Sequence, residues 1–381
     1  MSHSFDTKVV HSTLNQRSVV KSKTTPIYQT SAFSFANLDE LEKYFEGESD
    51  YLYSRMGNPN TDELAASVAQ LEGAERGVAT SSGMSAILAG ILAAVKPGEH
   101  IVAAWDVYGG THHLLSKELP AFGIQVTLVD FSELERIEAA IQTNTRLLYS
   151  ETLTNPFLRV ENVYELVALA DRYQLYTMLD NTFATPYLLN PFELGVDLIA
   201  HSATKYLGGH SDITAGVVVG REQLVAEAEQ KVVALGTNLS PHEAWLTQRG
   251  LKTLSLRMSK QSSNAQVVAD FLREEVLVED VHYPAYVSEK GNGAIITLEL
   301  GEDISVERFF ESLGWIKITP TLAGVETTVS YPIKTSHRSL TDEQLEAVGI
   351  DEQIVRLSVG IEDVKDIKAE LQHALTAAEV K

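Results

Sequence analysis

Between residues 58 and 256, short apolar runs alternate with stretches whose apolar residues recur every three or four positions. The runs "IVAAW" (101–105), "QVTLVD" (125–130), "RLLYSE" (146–151), "YTMLD" (176–180), "DLIAH" (197–201) and "AGVVVG" (215–220) have the length and β-branched content of buried strands. Helical period appears between them. Leu64, Val68 and Leu71 fall one turn apart after Thr61, which can cap a helix, and before Gly73, which can end it. Met84, Ile87, Leu88, Ile91, Leu92 and Val95 form a second helix, stopped by Pro97–Gly98. Ser132 to Gln142 is a third, with Ser132 and Glu135 spaced as a capping box. Strand alternating with helix predicts an α/β fold, a mostly parallel sheet covered on both faces.

The flanks differ. Residues 1–57 show little helical period: "KTTPIYQTSAFSF" (23–35) reads as an extended arm and "LDELEKYFEGE" (38–48) as one short helix. Such an arm has no core of its own and is expected to pack on something else, such as another subunit. Beyond 240, Ser240, Pro241 and Glu243 signal a helix start, and one long helix is expected to run towards Glu275. Strands at 294–300 and 354–360 and a closing helix make a smaller α+β region. The expected division is an arm (1–57), a large α/β domain (58–256) and a small C-terminal domain (257–381).

Charge narrows the function. The 381 residues carry a net charge of −22 and no cysteine. A nucleic-acid binder needs a basic stripe to neutralise phosphates, and an anionic lipid surface repels such a chain, so neither partner is expected. Without cysteine there are no disulfides, thiolate metal sites or cysteine nucleophile, which sits well with a reducing cytoplasm. The first residues lack an apolar h-region and no run is long enough to span a bilayer, so a cytoplasmic protein is expected.

One stretch carries chemistry. The strand "GVDLIA" (195–200) is followed by "HSATKYLGGHSD" (201–212), which sets Lys205 among Ser202, Thr204 and a glycine pair. Most loop lysines are solvated charges. A partly desolvated lysine beside phosphate donors is instead suited to covalent bonding with a carbonyl compound. Ligands of open α/β sheets lie beyond the carboxyl ends of the strands, and two more such ends are polar here. Asp180 follows "YTML", where a carboxylate could hold a proton on a pyridine nitrogen, though alone it also reads as a turn residue. Ser82, Gly83 and Met84 open a helix whose N–H groups could hold a phosphate. An amine, an acid for a ring nitrogen and an anion cradle together fit pyridoxal 5′-phosphate (PLP).

With "YSRMGNP" (53–59), "SSGMSA" (81–86), "DVYGGT" (106–111), "DNTF" (180–183), "RGLKTLSLRM" (249–258) and "VRLSVGIED" (355–363), the chain resembles the Cys/Met-metabolism family of PLP enzymes over nearly its whole length. That family includes cystathionine γ-synthase, cystathionine γ- and β-lyases and methionine γ-lyase. The resemblance implies a fold-type I, aspartate-aminotransferase-like PLP enzyme that assembles as a homo-oligomer, a tetramer built as a dimer of dimers. It implies that Lys205 is the Schiff-base lysine and proton shuttle and that Asp180 partners the pyridine nitrogen. Gly83, Met84, Ser202 and Thr204 match the phosphate cradle. Tyr53 and Arg55 match the pair a neighbouring subunit contributes to that phosphate. Tyr108 matches the tyrosine that stacks on the ring and assists the leaving group, Asn155 the asparagine near the ring 3-oxygen, and Arg356 the clamp on the substrate α-carboxylate. The implied activity is carbon–sulfur lysis of cystathionine, methionine or homocysteine, with γ-replacement (cystathionine γ-synthase or O-acylhomoserine sulfhydrylase) as the alternative. A non-catalytic binding protein on the same fold is a remoter one.

The chain departs from the family pattern on the substrate side. His112 and His113 follow "YGGT" where relatives carry an aromatic residue and an arginine, so His113 is expected to meet a distal carboxylate. Gly110 stands where methionine γ-lyases carry cysteine. Thr321 replaces a serine that faces the substrate, Ala323 a glycine and Pro320 a glutamate, and the stretch from Pro284 to Gly293 is short. Adjacent histidines diverge on a helix, and no HExxH spacing occurs, so no metal site is expected. No G-x-G-x-x-G follows a strand, which leaves a nicotinamide cofactor little support.

Overall fold

The computed structural model describes residues 3–11, 22–48, 51–336, 338, 345 and 349–380, so parts of the expected arm lie outside the described residues. The arm carries α1 (Phe5–His11) and α2 (Leu38–Phe45). The large unit follows as α3 (Pro59–Glu72), β1 (Arg76–Thr80), α4 (Gly83–Ala94), β2 (His100–Ala104), α5 (Gly109–His113), α6 (Leu119–Ala121), β3 (Gln125–Val129), α7 (Leu134–Ala140) and β4 (Thr145–Glu151). It continues through α8 (Val163–Tyr173), β5 (Tyr176–Asp180), α9 (Thr185–Leu188), β6 (Leu198–His201), β7 (Gly216–Gly220), α10 (Glu222–Leu235) and α11 (Pro241–Leu251). Helix α12 (Leu254–Arg273) leads to β8 (Val278–His282), β9 (Ile295–Leu300), α13 (Val306–Ser312), β10 (Lys317–Ile318), β11 (Thr328–Ser330), β12 (Ile354–Ser358) and α14 (Val364–Ala378).

Seven strands form the large sheet in the order β1-β7-β6-β5-β4-β2-β3. Strands β3, β2, β4, β5 and β6 are parallel, while β7 runs antiparallel to both its neighbours. The mostly parallel α/β sheet expected from the alternation is therefore present. Its central strands are buried along their length, which is why they read as apolar runs rather than alternating ones. In register, Glu151 at the end of β4 lies beside Asp180 at the end of β5, and Asp180 beside Ala200 on β6. One edge of the sheet thus presents two carboxylates and the start of the lysine loop.

A second sheet, β10-β11-β12-β9-β8, builds the smaller α+β unit. The sequence pattern showed only β9 and β12 of its strands, because β8 is half exposed and β10 and β11 are two and three residues long. Along α12, Leu254 and Met258 belong to the core of the large unit and Ala265, Val268, Ala269 and Leu272 to the other core, so the expected 256/257 boundary falls within this helix.

Four local expectations are corrected. Thr61 does not cap α3: Pro59, lacking an N–H, opens the helix two residues earlier, and Asn58 Oδ1 accepts from Asn60 N. The Ser132–Glu135 capping box does not form, and α7 spans 134–140. Asp130 Oδ1 accepts from Ser132 N at 2.8 Å, and Glu133 is the cap and pairs with Arg136. The long helix from 240 is two helices. The Gly250 carbonyl that would continue the first accepts from Thr253 Oγ1 at 3.1 Å and Arg257 Nη2 at 2.8 Å, and the chain turns at 252–253. The arm, read as without helical period before residue 38, contains α1, whose Val9 is buried.

Gly250 of α11 packs directly on the lysine loop, where an added Cβ would stand 2.0 Å from the Gly208 carbonyl oxygen. Backbone on both sides leaves no flexible atom to give way. Gly250→Ala is expected to destabilise the chain by about 1–3 kcal/mol, as overpacking typically does, measured by urea unfolding; an unchanged midpoint would show that the two segments part freely.

Candidate active site

The strand ends and the small unit enclose a cleft of about 480 Å³. It is built from three sources. The start of α4 brings Ser82, Gly83 and Met84; the sheet edge brings Glu151, Asp180, Ser202, Thr204 and Lys205; the small unit brings Pro320, Leu322 and Arg356. Tyr108 and Asn155 reach it from the loops after β2 and β4. The structure therefore gathers in one place nearly all the residues singled out in the sequence.

Lys205 is partly buried, and its ammonium donates to Thr321 Oγ1 at 2.8 Å, so Thr321 holds the amine from across the cleft. Burial, with the nearby Arg356 charge, lowers its pKa from 10.5 to about 8. Its loop is fixed from behind: the buried Arg257 donates to the carbonyls of Tyr206 at 2.7 Å and Leu207 at 3.4 Å. Asp180 Oδ1 accepts from Thr182 N at 2.9 Å. Burial pushes the Asp180 carboxyl up, against the pull of Thr182 and of the His201 charge. An anion there gains from a protonated partner on the cleft side. Behind it, His201 Nε2 lies 2.7 Å from Glu72 Oε1, and both side chains are fully buried.

Helix α4 opens beside this edge. Ser82 Oγ caps it by accepting from Ser85 N at 3.2 Å, while Gly83 and Met84 contribute first-turn N–H groups without intrahelical partners. Gly83 has to be glycine, since a Cβ would lie 2.6 Å from Ser202 Cβ. Thr204 lines the cleft with its hydroxyl exchanging bonds with Ala215, whose oxygen accepts at 3.1 Å.

Arg356 is the buried cation of the far wall. Its Nη1 donates to Asn155 Oδ1 at 2.8 Å, and its Nε is buried without a partner. A buried donor left unpaired costs about 1–3 kcal/mol, so a carboxylate ligand arriving in the cleft meets a prepared site. An amine of lowered pKa, an acid on the strand beside it, a helix start closed down to backbone approach and an unpaired guanidinium nitrogen together fit PLP and an amino-acid carboxylate.

Three sequence-selected residues do not join this cleft. Tyr53 is 44% exposed, and Arg55 Nη1 donates to the Val233 carbonyl at 2.8 Å, with its guanidinium 5.9 Å from the Tyr53 ring. His113 is exposed, its Nε2 3.1 Å from Glu118 Oε1, and is absent from the cleft lining. The structure does not bring it to a substrate. Sequence reasoning in turn missed Glu151, Arg257, Gln261 and Asn264. Their signal was present as charged and amide residues at positions where an apolar strand or an interior helix face was expected.

The family described as Cys/Met metabolism PLP-dependent enzymes matches residues 6–376. The chain belongs to it: a PLP-dependent enzyme of the carbon–sulfur lyase and γ-replacement group. It is 39% identical to the cystathionine β-lyase of Lactococcus lactis subsp. cremoris over 98% of this chain and 99% of the relative. It is 41% identical to the L-methionine γ-lyase of Porphyromonas gingivalis over 92% of each. The solved structure of cystathionine γ-synthase from Xanthomonas oryzae pv. oryzae, in complex with aminoacrylate and cysteine, superposes with a TM-score of 0.93 at 32% identity, covering 99% of both chains.

The lowered lysine pKa has a readable consequence. Only the neutral amine attacks a carbonyl, and its fraction here rises through pH 8 rather than 10.5. The rate at which apoprotein takes up PLP, followed by absorbance, should climb with a midpoint near pH 8; a climb only near pH 10 would show an unperturbed lysine.

Proposed function

We propose that this protein is a carbon–sulfur lyase that eliminates the thiol from cystathionine, methionine or homocysteine, the remaining enamine taking up water to give a keto acid and ammonia. The observation that carries the reading is the pairing of Lys205, its pKa lowered to about 8, with Arg356, which lines the same cleft and has a buried, unpartnered Nε. Arg356 and Asn155 bind and orient the α-carboxylate, which sets the Cα–H bond towards Lys205. Lys205 takes the Cα proton and, for a γ-substituent, the Cβ proton as well. Bound PLP supplies the electron sink that accepts the pair left at carbon, and Asp180 keeps the ring nitrogen protonated. Tyr108 hands a proton to the departing sulfur. Thr321, by accepting from Lys205 Nζ, aims the amine between uses. Relatives of 39% and 41% identity are a cystathionine β-lyase and a methionine γ-lyase, which favours elimination. The likeness to a cystathionine γ-synthase supports γ-replacement as the second reading.

His113, turned to Glu118, offers no cation to a distal carboxylate, and Pro320 lines the cleft where many relatives have a glutamate. A charge-assisted contact is worth about 1.5–3 kcal/mol, one to two decades in specificity. Cystathionine should therefore be preferred over methionine or homocysteine by less than about two decades. A panel of these three with cysteine and O-acylhomoserines, scored for keto acid and released thiol, tests both points. Keto acid and thiol from the sulfur substrates are expected; O-acylhomoserine with an added thiol giving replacement only would overturn the lyase reading.

The exposed Tyr53 and Arg55 support a homo-oligomer, a dimer or a dimer of dimers, in which this pair completes a neighbour's phosphate site. The absence of cysteine supports a cytoplasmic setting, and no helix among the described residues is long and apolar enough to cross a membrane. Mixing Arg55→Ala chains with Lys205→Ala chains should recover about a quarter of wild-type activity if equal subunits pair at random. No recovery despite proven subunit exchange would rule against shared sites.

A further inference from the structure

The loop between β2 and α5 delivers Tyr108 to the cleft, yet the Tyr108 side chain makes no cap bond and is 43% exposed. A ring on an exposed loop has no reason of its own to stay over a cleft. Its backbone does. The Tyr108 N–H donates to Glu151 Oε1 at 2.8 Å, and the Tyr108 carbonyl accepts from His112 N at 2.8 Å, closing the first turn of α5. Two residues earlier, Asp106 takes a bidentate pair from Arg159, Nε at 2.8 Å and Nη2 at 2.9 Å, while Arg159 Nη1 donates to the buried Glu161 at 3.0 Å. Gly110 leaves room for the ring to lie back over α5, since a Cβ there would come within 2.6 Å of Tyr108 Cε1.

We infer that Glu151 is a positioning residue: its carboxyl, together with the Asp106–Arg159 pair, pins the Tyr108 peptide to the ends of the strands and so sets the ring over the cofactor. The alternative role for a carboxyl in the cleft wall is proton transfer to the substrate. Two features argue for position. One carboxyl oxygen, Oε1, already accepts from a backbone N–H, and the neighbour of Glu151 in register is Asp180, the acid assigned to the ring nitrogen. Burial and the Asp180 charge also push the Glu151 carboxyl well above the usual range, favouring its neutral form, which still accepts from Tyr108. This role separates Glu151 from Asp180 although the two sit side by side: one fixes a loop, the other a proton.

The inference rests on Tyr108 facing the cofactor, and the test keeps the two apart. PLP-loaded full-length protein is compared with Glu151→Ala, Glu151→Gln, Asp106→Ala and Tyr108→Ala by visible circular dichroism of the bound cofactor and by kcat and KM. A reacting group misplaced by about 1 Å loses on the order of 100-fold. Glu151→Ala and Asp106→Ala should therefore lower kcat by about 10- to 100-fold, with a smaller change in KM, and both should alter the visible band as Tyr108→Ala does. Glu151→Gln, which keeps the acceptor oxygen, should stay within about threefold of wild type with its band. If Glu151→Gln is as impaired as Glu151→Ala, the carboxyl moves a proton and the inference fails. It fails also if Glu151→Ala has a wild-type band and kcat. Should Glu151→Ala not fold, Asp106→Ala carries the same test, and a wild-type band there overturns the clamp. A Tyr108→Ala protein with an unchanged band would instead refute the placement of Tyr108.

Discussion

The active cleft is assembled between two units, and the buried polar face of α12 is what holds them in one geometry. Arg257 grips the carbonyls of Tyr206, Leu207 and Gly250, which fixes the far side of the lysine loop. One turn on, Gln261 donates to the carbonyls of Gly324 and Val359, and Asn264 to those of Gly360 and Glu362. These are the segments that bear Thr321 and Arg356. A single helix therefore sets the distance between the Lys205 amine and the Arg356 guanidinium. Buried carbonyls left unpaired are costly, so this arrangement is enforced more firmly than apolar packing alone would enforce it.

The electrostatics of the cleft follow from that enclosure. Burial disfavours whichever form is charged, lowering Lys205 and raising Asp180. For the lysine this makes the amine available near pH 8. For the aspartate it creates a demand for a protonated neighbour, eased in part by His201 behind it. Arg356, which burial brings down to about 10, remains a cation at neutral pH, because even this shift leaves it far above working pH. The site is thus poised by desolvation, with Arg356 as a fixed positive charge that adds to the effect of burial in lowering the Lys205 pKa.

Much of this was legible in the chain. Strands buried on both faces announce themselves as apolar runs, and β5 (176–180) has the bounds its composition indicates. Asp180 closes β5, Gly83 opens α4, and Lys205 lies in the turn just after β6, all positions that the apolar runs and helix period mark out. What was not legible depends on partners distant in sequence. Nothing local shows that Arg257 of α12 ends α11 by taking the Gly250 carbonyl, whereas the Asn58–Pro59 pair is itself a local helix-start signal for α3. Nor does the sequence show that His113 turns to Glu118, since a histidine next to a motif has no fixed direction. Glu151 was hidden for a related reason: within "RLLYSE" it looks like the polar end of a strand, and only the return of the Tyr108 loop gives it a partner.

The central claim is that one amine, held by α12 and Thr321 and with its pKa lowered by burial and then by Arg356, carries the cofactor. Borohydride reduction of the PLP-loaded protein followed by peptide mapping measures this directly. The account predicts that reduction fixes the chromophore to the peptide containing Lys205 and to no other. A label on a different lysine, or a cofactor that washes away after reduction, would contradict it.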